Sequence, residues 1–125
     1  MLLDVKKGVG EIVDFSNAEL GEKNLLMLFE LLPLNLKLKQ LKLNNNKMND
    51  ECVGPLLVSL KEIPSLTNIN LGQNLLSEAS IDQIIKAMES HPNFKRIILS
   101  QNKINERNVR ERISKTKKEG ISITL

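Results

Sequence analysis

A repeat of 28 residues is the feature of this sequence that most constrains its fold. Three segments align without a gap: LKQLKLNNNKM (38–48), LTNINLGQNLL (66–76) and FKRIILSQNKI (94–104). Each reads apolar-x-x-apolar-x-Leu-x-x-Asn-x-apolar, and its asparagine is Asn46, Asn74 or Asn102. Matching columns in three consecutive copies indicate a repeat architecture, in which each unit buries its apolar face against the neighbouring units.

The pattern within each unit predicts a short strand, a tight turn and a helix. Apolar side chains alternate before the asparagine, as in a strand with one buried face. After it comes a small polar residue and then an acid, which suits a helix start because the first caps free N–H groups and the second meets the positive dipole end. These small polar residues are Asn49, Ser77 and Asn105. Pro64 and Pro92 end two helices, and Gly120 has the matching place after the third.

Pro55 interrupts this pattern, because it falls inside the second predicted helix. A proline has no amide N–H and removes one backbone hydrogen bond of a helix interior. We therefore expect this helix either to begin late, near Pro55, or to have a distorted first turn.

These blocks resemble the leucine-rich repeat family, in its long-repeat, ribonuclease-inhibitor-like class. The resemblance rests on the three asparagine-containing blocks and extends over roughly residues 9–125. It implies an α/β fold, a short right-handed β-α solenoid with parallel strands on the concave side and helices on the convex side. It also implies a protein partner of unknown identity, since members of the family generally bind partners, usually proteins, on the concave strand face.

The whole chain, residues 1–125, is predicted to be a single repeat domain. Its first unit is a degenerate cap in which Ala18 stands at the place of the asparagine, as expected for a terminal repeat. Its last segment, GISITL, suggests a closing strand one or two residues out of phase with the repeat. The predicted units are a cap repeat 1–37, repeats 38–65, 66–93 and 94–120, and a closing strand 121–125.

The predicted concave face consists of strand side chains that point away from the helices. Side chains alternate along a strand, so Leu41 and Leu43 point into the core while the residues between and beside them point outward. The candidate partner-binding residues are Gln40, Lys42, Asn44, Asn68, Asn70, Arg96, Ile98 and Ser100. Binding hot spots favour Trp, Tyr and Arg, and of these only Arg96 is present, which favours a weak or largely electrostatic contact.

The repeated asparagines are interpreted as structural residues. A buried amide at the end of a strand can bond backbone groups that the turn leaves without partners. Asn46, Asn74 and Asn102 are therefore expected to form a ladder of hydrogen bonds across the repeats.

The sequence offers no assembled catalytic or metal-binding group, so no enzyme activity, cofactor or metal is expected. Cys52 is the single cysteine, which excludes an intramolecular disulfide. Its place near a helix start predicts a partly exposed but inert thiol. His91, the single histidine, is expected to cap a helix end as a partly exposed imidazole.

Charge is distributed unevenly along the chain. Residues 1–35 carry three Lys and six carboxylates, a net −3, whereas residues 103–125 carry seven basic and three acidic groups, a net +4. The predicted helix over 105–120 is either a charged terminal cap or an alternative basic surface for an acidic protein or phosphates. Its candidate residues are Arg107, Arg110, Arg112 and Lys115. The absence of aromatic residues from this segment disfavours nucleic acid as the partner.

The closing strand would leave a free sheet edge, which invites pairing with another chain. Together with the opposite charges of the two ends, this edge suggests self-association or assembly through the C-terminal strand.

These features predict a non-catalytic protein–protein interaction module, either a scaffold or a subunit of a larger complex. The resemblance also implies an alternative, a regulator of a partner's activity: an inhibitor, a GTPase-activator-like protein or an actin-capping-like protein. A binder of anionic surfaces or nucleic acid through the basic helix is a further alternative. No signal-peptide core, N-glycosylation acceptor or apolar run of about 20 residues occurs, so a cytoplasmic location is expected, with the nucleus also open.

Overall fold

The computed structural model describes residues 11–116 and 118–125. Within them, five short parallel strands form one sheet in chain order: β1 Ile12–Asp14, β2 Gln40–Lys42, β3 Asn68–Asn70, β4 Arg96–Ile98 and β5 Ser122–Thr124. From β1 to β4 each residue pairs with the residue 28 positions later, as Gln40 does with Asn68. Arg96 instead pairs with Ser122, so the closing strand is two residues short of the repeat.

Four α-helices of the described residues follow the first four strands: α1 Gly21–Leu31, α2 Val53–Leu60, α3 Ile81–Ser90 and α4 Glu106–Ile113. Short 3-10 turns cover Leu32–Leu34, Asp50–Cys52 and Glu78–Ser80. The predicted α/β fold with a parallel sheet is thus confirmed. The basic helix predicted over 105–120 is too long, because α4 ends at Ile113. Lys117, which belongs to the predicted basic helix, lies outside the described residues. The first ten residues of the predicted cap lie outside them as well.

Pro55 lies in the first turn of α2, which begins at Val53 after a 3-10 turn. A proline is tolerated in a first turn because amide groups there lack helical acceptors. The helix α3 is preceded by the same kind of turn and has no proline at its start. The late start of α2 is therefore a property of the repeat and not an effect of Pro55.

An aliphatic core fills the space between the sheet and the helices. The central strand residues Leu41, Ile69 and Ile97 are at most 2% exposed. They face helix side chains such as Leu56 and Ile84, which are also buried. Burial of this kind supplies most of the folding free energy of a repeat stack, since each unit covers the apolar face of the next.

Asn74 shows how the repeated asparagines join the units. Its Nδ2 donates to the carbonyl oxygens of Leu71 in its own turn (3.0 Å) and of Leu43 in the preceding repeat (3.1 Å). Its Oδ1 accepts from the N–H groups of Asn46 (3.0 Å) and Met48 (2.9 Å), which also belong to the preceding repeat. One buried side chain thereby satisfies backbone groups of two units.

Asn46 and Asn102 make equivalent contacts with the unit before each of them. In each case the side-chain amide nitrogen donates to a backbone carbonyl oxygen of the preceding unit, and the side-chain oxygen accepts from a backbone N–H of that unit. The bonds are Asn46 Nδ2 to Phe15 O (2.8 Å), Leu20 N to Asn46 Oδ1 (3.1 Å), Asn102 Nδ2 to Leu71 O (2.9 Å) and Leu76 N to Asn102 Oδ1 (2.9 Å).

A second set of side-chain hydrogen bonds connects the helix starts. The carboxylate of Asp50 accepts from the backbone N–H of Ser77 (2.9 Å), from the Ser77 hydroxyl (2.5 Å) and from the Ser80 hydroxyl (2.5 Å). Partial burial raises the pKa of Asp50, but these hydrogen bonds to the ionised form outweigh it and hold the pKa below its ordinary value.

The same arrangement recurs one repeat later. The carboxylate of Glu78 accepts from the backbone N–H of Asn105 (3.1 Å) and from the side-chain amide of Asn108 (3.0 and 3.1 Å). Sequence reasoning assigned these acids only to the helix dipole and missed the contact with the following repeat. The detectable signal was the polar residue 30 positions beyond each acid, Ser80 for Asp50 and Asn108 for Glu78.

The predicted helix caps are present in two of the three units. Ser77 Oγ accepts from the N–H of Ala79 and Asn105 Oδ1 from the N–H of Asn108, both at 3.3 Å. The prediction for Asn49 is wrong, because its side chain makes no bond to a backbone N–H of the helix start. Its Oδ1 instead accepts from the thiol of Cys52 at 3.3 Å.

The residue before each repeated asparagine has a left-handed backbone. Its φ is +58° at Asn45, +54° at Gln73 and +60° at Gln101. The left-handed region is uncommon for residues with a side chain, and Asn adopts it more readily than Gln does. This position in the turn therefore requires a backbone conformation as well as a polar side chain.

Candidate functional site

The outward side chains of β2 to β5 form a shallow groove of about 440 Å³ on the sheet face opposite the helices. We call this feature the strand-face groove. Its rim and floor are Gln40, Lys42, Asn68, Ile69, Asn70, Arg96, Ile97, Ile98, Gly120, Ser122 and Thr124.

Most of the predicted partner-binding residues line this groove. They are Gln40, Lys42, Asn68, Asn70, Arg96 and Ile98. The other two, Asn44 and Ser100, lie beyond the carboxyl ends of β2 and β4, are half-buried and do not line it. Ser122 and Thr124 of β5 complete the groove and were not among the candidates. The alternating GISITL segment was the signal for them, but its shifted phase concealed which side chains face outward.

The strand register arranges the lining side chains in two rows. One row contains Gln40, Asn68, Arg96 and Ser122, and the other contains Lys42, Asn70, Ile98 and Thr124. Neighbouring members of a row are separated by the strand spacing of about 4.8 Å. Both rows cross the strands, so they present amides, hydroxyls and cations at regular intervals perpendicular to the strand direction.

The groove is positively charged. Lys42 and Arg96 line it, and no described lining residue is acidic. Neither cation lies within 4 Å of a carboxylate in the described part of the chain. In the strand register Lys42 pairs with Asp14 of β1, whose pKa is lowered chiefly by hydrogen bonds from the Ser16 hydroxyl and N–H, with a smaller contribution from the charge of Lys42.

Two of the four candidate residues of the basic helix are ion-paired within the described residues. Arg110 pairs with Glu106 one turn earlier in α4. Arg112 lies with its Nε 3.3 Å from Asp82 Oδ1 and also donates to the carbonyl oxygen of Glu78, so it joins α4 to the preceding repeat.

Three described basic residues of this segment are exposed: Arg107, Arg110 and Lys115. Arg107 and Lys115 have no ion-pair partner within residues 11–116 and 118–125. Lys118 instead donates through Nζ to the carbonyl oxygens of Met88 (2.6 Å) and His91, so it caps the end of α3.

His91 is buried, not partly exposed as predicted, with 6% of its surface accessible. Its Nε2 lies 2.9 Å from the carbonyl oxygen of Ile63, the residue in the same column one repeat earlier. Its Nδ1 accepts from the N–H groups of Asn93 (3.0 Å) and Phe94 (2.9 Å). This network assigns the proton to Nε2, and both ring nitrogens serve the backbone.

Cys52 is also buried, which corrects the prediction of a partly exposed thiol. Burial raises the pKa of this thiol, so the reactive thiolate is disfavoured. Among the described residues, no cluster of three or more His, Cys, Asp or Glu side chains could hold a metal ion. A search of the same residues also gives no helix with the length and apolar character needed to cross a membrane.

Comparison with known proteins gives matches at the level of structure alone. No protein-family model matches the chain, and no curated protein does. The structure of leiomodin-1 actin-binding site 2 has a TM-score of 0.86, is 19% identical, and is matched over 98% of this chain and 75% of that one. The Caenorhabditis elegans tropomodulin C-terminal domain has a TM-score of 0.63, is 14% identical, and is matched over 90% of this chain and 86% of that one.

At these identities the similarity establishes the fold and nothing finer. The ribonuclease-inhibitor-like class therefore stays a prediction. The chain has the leucine-rich-repeat-like α/β fold of the domains on which it superposes.

Proposed function

We propose that this protein is a non-catalytic protein-binding module, a scaffold or a subunit of a larger complex, which binds its partner through the strand-face groove. The observation that carries this proposal is a contrast in how polar side chains are used. Asn46, Asn74, Asp50 and Glu78 are consumed by hydrogen bonds between repeats. One row of the groove contrasts with them. Its side chains make no hydrogen bond or ion pair with any described residue; these are Gln40, Asn68, Arg96 and Ser122.

Polar groups that are left free along the rows of a rigid sheet are suited to binding. The helices and the sheet hold them in register, so little conformational entropy is lost when a partner pairs with them. The side chains that could act in catalysis, those of His91 and Cys52, are both engaged in structural contacts, which supports a non-catalytic role. His91 uses both ring nitrogens for backbone contacts, and Cys52 is buried with its thiol donating to Asn49.

The test is a charge-reversed groove in the triple variant Lys42→Glu, Asn70→Glu and Arg96→Glu. We expect its far-UV circular dichroism to match that of the wild type, because Lys42 and Asn70 are half-buried polar residues and Arg96 is exposed. Capture of the partner from the native cell, identified by mass spectrometry, should be lost.

A matched control carries the same change of net charge on the helices: Lys23→Glu, Gln83→Glu and Lys86→Glu. These three side chains are exposed on α1 and α3 and lie away from the groove. The control should capture the partner as the wild type does. If the groove variant also retains capture, the binding surface lies elsewhere and the proposal is wrong.

Actin binding is a second candidate, because the structure of an actin-binding site of leiomodin-1 superposes over nearly the whole chain. Cosedimentation with actin filaments and the elongation rate of filaments from capped and uncapped seeds would test it. We expect a bound fraction that rises with filament concentration and a slower elongation at one filament end. Equal pelleting with and without filaments would exclude this candidate.

A further inference from the structure

We propose that the strand-face groove accepts an extended acidic polypeptide segment, which crosses β2 to β4 with two carboxylates on one side. This inference rests on the proposed function, and it names the chemistry of the partner. Three features of the groove support it: the positive charge, the positions of the two cations and the amide side chains between them.

The charges of the groove select an acidic occupant. Lys42 and Arg96 are the described charged residues that line it, and both are free of ion pairs with described residues. A cationic segment would meet two like charges in the lining, since the carboxylate that neighbours Lys42, that of Asp14 on β1, does not line the groove. A carboxylate beside either cation would form a charge-assisted hydrogen bond, which is the stronger kind.

The positions of the two cations define the spacing of the acids. Lys42 and Arg96 belong to different rows and are two strands apart. With about 4.8 Å between strands and about 3.3 Å per residue along them, their Cα atoms are separated by about 12 Å. An extended chain advances about 13 Å over four residues and returns to the same side, so acids at positions i and i+4 match the two cations.

The side chains between the cations suit an extended backbone. Asn68 and Asn70 of β3 lie between β2 and β4, and their amides can donate to and accept from peptide groups. The Asn70 Oδ1 accepts from the N–H of Gly72 (2.9 Å), which fixes the orientation of this amide. Ile98, 38% exposed, adds one apolar contact beside Arg96.

The size of the groove argues against bulkier occupants. Its volume of about 440 Å³ holds a few residues of a single chain, whereas a helix with side chains is about 10–12 Å wide. Single-stranded nucleic acid is bound with aromatic stacking platforms, and none of the described residues that line the groove is aromatic. The observations therefore favour one extended polypeptide strand.

The experiment uses two fluorescein-labelled nine-residue peptides of alternating Thr and Val. One carries Asp at two positions four residues apart, and the other carries Asn at the same positions. Fluorescence anisotropy with the full chain should show at least about 10-fold tighter binding of the Asp peptide, as two charge-assisted contacts imply. Lys42→Glu and Arg96→Glu should each weaken that binding at least about 10-fold, while Lys86→Glu on α3 should not change it.

A double-mutant cycle assigns each acid to its cation. Replacing one Asp of the peptide by Asn should remove the effect of only one of the two groove substitutions. Equal affinity for the Asp and Asn peptides, or binding of neither, would overturn the acidic-segment inference. The proposed function fails separately, when the triple groove variant still captures the cellular partner.

Discussion

Asp50 and Ser77 are joined by two hydrogen bonds, from the Ser77 backbone N–H to Oδ1 (2.9 Å) and from the Ser77 hydroxyl to Oδ2 (2.5 Å). Asp50 opens the helical segment of one repeat, and Ser77 immediately precedes that of the next. The pair therefore sets the position of one helix start relative to its neighbour, and neither residue lines the strand-face groove.

Asp50→Asn should lower the free energy of unfolding at pH 7 by about 1–2 kcal/mol, because the hydroxyl and N–H donors lose a charged acceptor. The folded-state pKa of Asp50 lies below its unfolded value of about 3.9. Its contribution is therefore fully present above that value and is lost as the pH falls through the folded-state pKa. Urea unfolding at pH 7 and pH 2.5 should show a difference between wild type and variant that shrinks at the lower pH.

The control for this prediction is Glu89→Gln, an exposed carboxylate on α3 with no partner among the described residues. Its effect should stay within about 0.5 kcal/mol at both pH values. A difference for Asp50→Asn that is the same at pH 7 and pH 2.5 would contradict the assigned role of the carboxylate.

Asn74→Ala should destabilise the fold by about 2–4 kcal/mol. The substitution leaves the buried N–H groups of Asn46 and Met48 without their side-chain acceptor, and it removes one of the two side-chain donors to the carbonyl oxygen of Leu43. Chemical denaturation monitored by circular dichroism would measure the loss. Gln83→Ala, at an exposed helix position, should change stability by less than about 0.5 kcal/mol, and equal effects of the two would refute the ladder's role.

Gln73→Asn should stabilise the protein by about 0.5 kcal/mol, because Asn tolerates the left-handed φ of +54° at this position better than Gln does. Thermal unfolding should show a melting temperature higher by about 2–3 °C. The same exchange at Gln83 in α3 should have the opposite sign, since Asn is the poorer helix former. A lower melting temperature for Gln73→Asn would mean that its side chain has another role.

His91→Ala should cost about 2–3 kcal/mol, because it removes the acceptor for two backbone N–H groups and the contact with the Ile63 carbonyl oxygen. His91→Asn should recover about 1 kcal/mol of this loss. Asn35, two repeats earlier in the same column, already accepts from the N–H of Lys37 through its Oδ1. Urea denaturation of both variants measures the difference, and identical losses would contradict the role of Nδ1.

The fold was predictable because the repeat encodes it redundantly. Leu41, Leu43 and their counterparts specify the strand register, since a shift by one residue would turn every apolar side chain outward. The closing strand was predicted one or two residues out of phase, and the structure gives two, because Ile123 follows Ile97 by 26 residues instead of 28.

The candidate site was only partly predictable, because exposure and pairing depend on neighbours that lie a whole repeat away. Arg112 reads as one of several free cations in the sequence, but Asp82 of the preceding helix pairs with it. His91 reads as a surface cap, but the carbonyl oxygen of Ile63 is within reach and the ring is buried. Local sequence carries no signal for either contact, since each joins residues 28 to 30 positions apart.

The asparagine side chains also give the stack a direction. Asn46 completes the first turn, Asn74 completes the second, and Asn102 reaches back in the same way to Leu71 and Leu76. The cap and the repeats 38–65 and 66–93 thus receive part of their hydrogen bonding from residues that a ribosome adds later. During synthesis, each of these turns stays incomplete until the next asparagine leaves the ribosome, so none of these units can be finished before part of the following unit has been translated.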